Sequence, residues 1–203
     1  MQKLATKYLT PEEYLAIEET AEYKSEYYQG EMFAMAGGSF NHNRIARTLT
    51  EKLNHSLQGK NCEAFSEEVR LWIEKASLFT YPDVVVVCGK IQTYQNRRDT
   101  LINPLMIVEV LSDSSEPYDR GQKFKFYRSL PTLREYLLVD QYKIHIEQFS
   151  LGQSGKWILT DYDDADSVLQ CTSIDFQMPL REIYQRVDFE SERSIARRKE
   201  QSA

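Results

Sequence analysis

Cysteine is scarce in this chain of 203 residues: there are three, Cys62, Cys88 and Cys171, widely spaced and odd in number. That argues against a disulfide framework and against the paired spacing of a zinc site, and Cys88, at the end of a valine run, reads as a buried thiol. No apolar stretch reaches the length of a membrane span, and Met1-Gln2-Lys3-Leu4-Ala5 lacks an apolar signal core, so a cytoplasmic location with no membrane partner is expected. Positive charge is not in excess either. The net charge of −6 argues against a general nucleic-acid coat protein, although it allows local basic patches. Repeats, low-complexity segments and a convincing linker are missing, which leaves one domain over 1–189 and a charged tail, 190–203, expected to fray.

What is present is the composition of a soluble globular protein, 41% hydrophobic and 28% charged. A compact domain of this length buries about 70% of its unfolded surface and needs no staple. Thr10-Pro11-Glu12-Glu13 combines a capping threonine, a proline at the first helical position and a glutamate at the third, which predicts a helix to about Glu19. Residues 23–28, Gln29-Gly30 and 31–35 predict a hairpin. Asn41 is placed to cap a helix over 42–58, whose stripe of Ile45, Ala46, Leu49, Leu53 and Leu57 also carries His42. Strands are expected over 62–66, 69–74, 77–81 and 84–88, then a long polar loop over 89–104 and a strand over 105–111. A helix over 119–129, strands over 135–140, 143–149, 157–160 and 168–171, and a short helix over 180–187 complete a mixed α/β order.

Two of the apolar strands carry an acid near one end: Asp83, after Pro82, opens Val84-Val85-Val86-Val87, and Glu109 lies in Leu105-Met106-Ile107-Val108-Glu109-Val110-Leu111. An acid in a buried strand is costly unless something pairs with it. If the two strands are antiparallel neighbours, the carboxylates converge; a parallel pairing would separate them. Two carboxylates and the backbone carbonyl of Val110 form an oxygen set suited to Mg²⁺ (or Mn²⁺). In the following helix, at about 100° per residue, Asp119, Lys123, Phe126, Tyr127 and Leu130 share the apolar face while Lys125 points away. Lys123 is therefore the lysine carried toward the acids. Five basic residues (Arg120, Lys123, Lys125, Arg128, Arg134) with no acid among them suit phosphate contacts, from Arg120, Lys125 and Arg128 in particular. Each piece has an ordinary reading: Pro-Asp as a turn, Glu109 as an edge ion pair, Lys123 as a snorkelling side chain, His42 as a satisfied core histidine. Their conjunction in one ordered segment favours a site.

Pro82-Asp83 followed by Glu109-Val110-Leu111 resembles the PD-(D/E)XK nuclease motif with Leu111 in the lysine slot. Glu109-Val110-Leu111-Ser112, Asp119-Arg120-Gly121-Gln122-Lys123 with Tyr127, and Glu135-Tyr136-Leu137-Leu138-Val139-Asp140 are similar to a restriction-endonuclease family of that superfamily, abundant in cyanobacteria. Gly30-Glu31, Met35 and His42 fit its upstream pattern, and the likeness spans roughly residues 10–185. The resemblance implies a restriction-endonuclease-like α/β core, with helices packed on a central mixed sheet. It implies Asp83 and Glu109 as divalent-metal ligands with the Val110 carbonyl, Lys123 as a catalytic lysine migrated to the next helix, and Glu31 and His42 lining the same cleft as Asp119 and Tyr127. It also implies DNA as substrate and a homodimer. Three functions stay open on the residues: a Mg²⁺-dependent DNA endonuclease, an inactive nuclease-derived DNA-binding or assembly module, and a glycosidase using Asp83 and Glu109 with Trp72 and Trp157 along a groove.

Overall fold

A computed structural model describes residues 2–3, 8–66 and 68–190. A short strand, β1 (Gln2–Lys3), precedes helix α1 (Pro11–Glu18). The expected capping box forms there: Glu13 N–H donates to Thr10 Oγ1 at 3.2 Å, and Thr10 N–H donates to the Glu13 carboxylate at 2.8 Å. The hairpin is β2 (Ser25–Tyr28) and β3 (Glu31–Ala34), joined through Gln29 and Gly30, both at positive φ (47° and 92°) as a two-residue hairpin loop requires. Helix α2 spans Phe40–Ser56. Its cap is Ser39, not Asn41: Ser39 Oγ accepts the His42 N–H, while the Asn41 side chain is buried and bonds both backbone groups of Asp188. A neighbouring serine was available to cap, and tertiary contact took the asparagine.

The remaining strands are β4 (Cys62–Ser66), β5 (Arg70–Ile73), β6 (Leu78–Thr80), β7 (Val84–Cys88), β8 (Thr100–Leu101), β9 (Met106–Leu111), β10 (Glu135–Asp140), β11 (Ile146–Leu151), β12 (Trp157–Tyr162), β13 (Val168–Cys171) and β14 (Phe176–Pro179). The polar loop over 89–104 thus holds one short strand, and β14 was not legible in the pattern of the sequence. The closing helix α4 (Leu180–Ile183) stops short of Val187. Of the tail assigned to 190–203, residues 191–203 lie outside the described residues.

Two six-stranded sheets result, ordered β1-β3-β2-β6-β5-β8 and β12-β11-β10-β9-β7-β4, with β13-β14 as a separate hairpin. The second sheet is mixed: only β9 and β10 within it run parallel. It is covered on both faces, which is why its inner strands read as continuous apolar runs. Val84, Val86, Met106, Val108 and Val110 pack with Ile45, Leu49 and Leu53 of α2 and with the β13-β14 region. Val85, Val87, Ile107, Leu111 and Leu138 face the first sheet through Leu71, Ile73 and Leu78. The far face of the first sheet is closed by Tyr14 and Leu15 of α1.

One expectation about the cysteines is overturned. Cys62 and Cys88 stand directly opposite each other in the antiparallel β4–β7 ladder and are disulfide-bonded; only Cys171 is free. A separation of 26 residues hides a contact that only the strand register creates.

Glu135, prominent in the family-like segment, has a structural task. It is fully buried, and its carboxylate accepts from Gln148 Nε2, Ser150 Oγ, and the N–H and hydroxyl groups of Thr172 and Ser173. It ties the turn after β13 to the central sheet. Glu135→Ala strands these donors, and the expected loss is about 3 kcal/mol, read as a lower urea midpoint with an unchanged slope.

Candidate active site

The chain passes from one sheet to the other at Tyr81-Pro82-Asp83, between β6 and β7. Proline has no N–H to offer a ladder and ends the strand pairing there. Tyr81 is fastened: its hydroxyl donates to Glu18 Oε2 at 2.7 Å and accepts from Arg70 Nε at 2.9 Å. β7 and β9 are antiparallel, with Val84 opposite Val108, so the next pair outward is Asp83 and Glu109. Asp83 Oδ2 accepts the Val110 N–H at 2.7 Å and lies 3.2 Å from His42 Nε2. The position of His42 is set by α2, whose cap, Ser39, donates to Gln141 Oε1 at 2.5 Å; Gln141 Nε2 in turn donates to the Leu111 carbonyl at 2.6 Å. Buried Gln141 thereby ties the start of α2 to the end of β9.

The connection from β9 to its parallel neighbour β10 carries the helix. It starts as one α turn (Glu116–Tyr118), widens to π geometry over Asp119–Lys123 and returns to α over Phe124–Tyr127; we call the whole α3. Single π turns are rare and recur at functional sites. This one is bounded by the two polar residues that turn inward. Lys123 Nζ lies 2.9 Å from Glu109 Oε1, 3.4 Å from Asp119 Oδ1 and 3.6 Å from Glu26 Oε1. Tyr127 donates its hydroxyl to Glu109 Oε1 at 2.6 Å, and Thr80 donates to Glu26 Oε1. All four charged groups around the ammonium's centre are withdrawn from water: Glu26 is 3% exposed, Glu109 3%, Asp119 2% and Lys123 6%.

Glu26 was missed in the sequence, where Glu31 was the acid assigned to this hairpin. Glu31 sits opposite Tyr28 at the hairpin turn, whereas Glu26 is the hairpin acid that reaches Lys123. A signal did exist, since Glu26 is an acid set among strand residues in the same way as Glu109.

Glu26, Glu109 and Asp119 place three carboxylates around one ammonium, and Asp83 adds a fourth beside Glu109. Burial, with the nearby Asp83 and Asp119, pushes the Glu109 carboxyl well above the usual range, against the pull of Lys123 and Tyr127. Burial opposes charge on Lys123, but Glu109, Tyr127, Glu26 and Asp119 outweigh it and hold its proton well above the ordinary lysine value. Burial and Glu109 push the Tyr127 hydroxyl up as well. The lysine is thus an ammonium, not a base.

The structure does not bring the expected phosphate contacts to this cluster. Arg120 is held by Glu116 at 2.7 Å and by a second bond to Glu147, while Lys125 and Arg128 are exposed, Arg128 lying over the Phe124 ring. A cleft of about 340 Å³ opens instead beside Asp83, walled by Asn43, Arg47 and Thr50 of α2 and by Ser66. His145, Glu147 and Asp161 also bring ligand atoms within 4.8 Å of one another, but the Arg120 guanidinium already occupies Glu147. Trp72 packs against Phe79 and Trp157 meets Phe124 edge-on, and neither lines the cleft beside Asp83 where the glycosidase reading would need a sugar platform.

Residues 11–181 match a family, Uma2, described as "Putative restriction endonuclease". The chain belongs to this family. It is 41% identical over 156 residues to the uncharacterized protein sll1609 of Synechocystis sp., covering 77% of this chain and 88% of that protein. It is 36% identical over 183 residues to slr1290, also an uncharacterized protein of Synechocystis sp., covering 89% and 94%. Among solved structures it is similar to one from Anabaena variabilis, titled a putative nuclease belonging to DUF820, with a TM-score of 0.72 at 17% identity over 87% of this chain and 98% of that one. The expected restriction-endonuclease-like fold is thereby established for this Uma2 chain, with a second sheet, beyond the expected helices, covering the central one.

The Glu109 shift has a consequence for stability. A carboxyl with a raised native pKa holds a proton that the unfolded chain releases near ~4.3. Its stabilising contribution is therefore complete below that pH and is lost as pH rises toward the native value. Glu109→Gln lacks this titration and keeps the acceptor for Tyr127. Urea unfolding from pH 4 to 8 is expected to show wild type losing stability relative to the variant as pH rises; parallel curves would contradict the shift.

Proposed function

We propose that this Uma2 protein is a divalent-cation-dependent endonuclease that hydrolyses DNA phosphodiester bonds. The observation that carries the reading is the buried Lys123 ammonium 2.9 Å from Glu109, on the strand that also binds Asp83 through the Val110 amide. Leu111 leaves the usual lysine slot empty, and α3 supplies the missing cation from the next element.

The donor set suits a hard divalent cation. Three carboxylates face one ammonium with Asp83 beside them, and two buried oxygens of the cluster have no hydrogen bond: Glu26 Oε2, and Asp119 Oδ1, which has only its 3.4 Å ion pair with Lys123. Asp83, Glu109 and the Val110 carbonyl would hold Mg²⁺ or Mn²⁺. Bound there, the cation supplies Lewis acidity and charge neutralisation at the phosphate. Lys123, kept protonated, stabilises the negative charge that develops as water adds to phosphorus and one P–O ester bond breaks, leaving a phosphomonoester and an alcohol. Tyr127 fixes Glu109, and His42 with the Val110 amide fixes Asp83. Access is through the cleft at Asp83, where Arg47 stands ready for a backbone phosphate. Lys125 and Arg128, exposed on α3 away from that cleft, are separate phosphate contacts in this reading, whereas Arg120 would first have to leave two glutamates. A homodimer belongs to the same reading.

The test is cleavage of supercoiled plasmid with Mg²⁺ or Mn²⁺. Asp83→Ala, Glu109→Ala and Lys123→Ala are each expected to slow cleavage by at least about 100-fold. Cleavage unchanged in all three variants would remove the assignment. DNA binding that weakens with salt but gives no metal-dependent turnover in wild type would mean a nuclease-derived binding module instead.

A further inference from the structure

The cluster holds more acid than the proposed chemistry uses. Glu26 comes from the first sheet and Asp119 from the π turn, and neither is needed to describe a cation at Asp83 and Glu109. Glu26 Oε1 is satisfied by Thr80, yet Glu26 Oε2 is buried with no hydrogen-bond partner, and so is Asp119 Oδ1. Leaving a buried oxygen without a donor is costly, and more so on a charged group. Both open oxygens belong to residues already within 3.6 Å of Lys123 Nζ. Lys123 itself is seated on Glu109 Oε1, which also accepts from Tyr127. A cation drawn to Glu109 would bring a second positive charge beside the ammonium already on that carboxylate.

We propose that Glu26 and Asp119 form a second seat for Lys123: with Glu109 engaged by a divalent cation, the ammonium is received by Glu26 Oε2 and Asp119 Oδ1, a short swing away. Glu26 is then a positioning residue acting through Lys123. The seat relieves the crowding of positive charge at Glu109, since the lysine leaves Glu109 Oε1 for the unmet Glu26 Oε2 and tightens its 3.4 Å ion pair with Asp119 Oδ1. It also keeps the ammonium beside the phosphate while the cation is bound. The geometry allows the swing because Lys123 lies in the wider π turn with Asp119 on the same side, and because Thr80 pins the other oxygen of Glu26, leaving Oε2 buried and without a donor. This inference rests on the cation reading of the proposed function and goes beyond it by assigning Glu26.

The experiment uses the full chain and Mn²⁺ alone, with no nucleic acid. Calorimetric titration of wild type, Glu26→Gln, Lys123→Met and the double variant measures Mn²⁺ affinity, and a crystal structure of the Mn²⁺-loaded wild type locates Lys123. Glu26→Gln keeps the acceptor for Thr80 and is expected to weaken Mn²⁺ by about tenfold, the usual size of an outer-sphere effect. In the Lys123→Met background the same substitution is expected to cost distinctly less, because there is no ammonium left to reseat. Asp119→Asn, on a different element, repeats the test if Glu26→Gln does not fold. In the loaded crystal Lys123 Nζ is expected within about 3.2 Å of Glu26 Oε2 and beyond about 3.5 Å from Glu109 Oε1. Mn²⁺ bound with Lys123 still on Glu109, an equal loss in both backgrounds, or Glu26 itself ligating the ion would overturn the second seat and leave the nuclease reading standing. No Mn²⁺ binding by wild type would overturn the cation reading and the seat with it.

Discussion

A single buried ammonium sets the terms for the centre of this molecule. Lys123 lies among the acids Glu109, Asp119 and Glu26, on three different elements, and none of the four would be tolerated there alone. Isolated charges at this depth would titrate to neutrality or unfold the surroundings. Together they fix the distance between the hairpin of the first sheet, the middle of the second and the helix between β9 and β10. The arrangement is imbalanced toward acid, and the imbalance shows in the raised Glu109 carboxyl and the retained lysine proton. A core built for stability alone would use apolar residues of the same volume.

Delivery of these groups depends on two places where regular structure gives way. The first is the Tyr81-Pro82-Asp83 corner, where the chain leaves one sheet for the other with Tyr81 clamped by Glu18 and Arg70. Thr80 on one side of the corner orients Glu26; Asp83 on the other side takes the Val110 amide. The second is the π turn in α3. Gln141 keeps the α2 side of the site in step with β9 through Ser39 and Leu111.

Much of this was legible in the residues. The capping box of α1, the two-residue hairpin loop and the fully covered valine strand each follow from local chemistry, and helical periodicity separated inward Lys123 from outward Lys125. Asp83 and Glu109 could be recognised as unusual acids, but their meeting depended on an antiparallel register that periodicity does not reveal. The same blindness to register concealed the Cys62–Cys88 bond. Ser39 displaced Asn41 as a cap because Asp188, nearly 150 positions away, claims the asparagine. Glu26 went unseen because Ser25-Glu26-Tyr27-Tyr28 looks half-solvated until the second sheet closes over it. Glu135 carries the opposite lesson, since a residue shared with a nuclease-like pattern proves to be a tether within the fold.

The π segment also constrains how this helix can change over time. A π turn is an α-helix holding one surplus residue, so loss of a single position within Asp119–Lys123 would let the backbone relax into an ordinary helix with no damage to either sheet. Because the π turn absorbs that residue, the turns on either side would stay in phase, and Phe124 and Tyr127 would keep their places against the central sheet. What would change is the path between Asp119 and Lys123, the two inward side chains that bound the widened turn. Lineages that drift by short deletions can therefore lose the chemistry in one step while retaining a well-packed protein, whereas regaining it requires an insertion at that same turn.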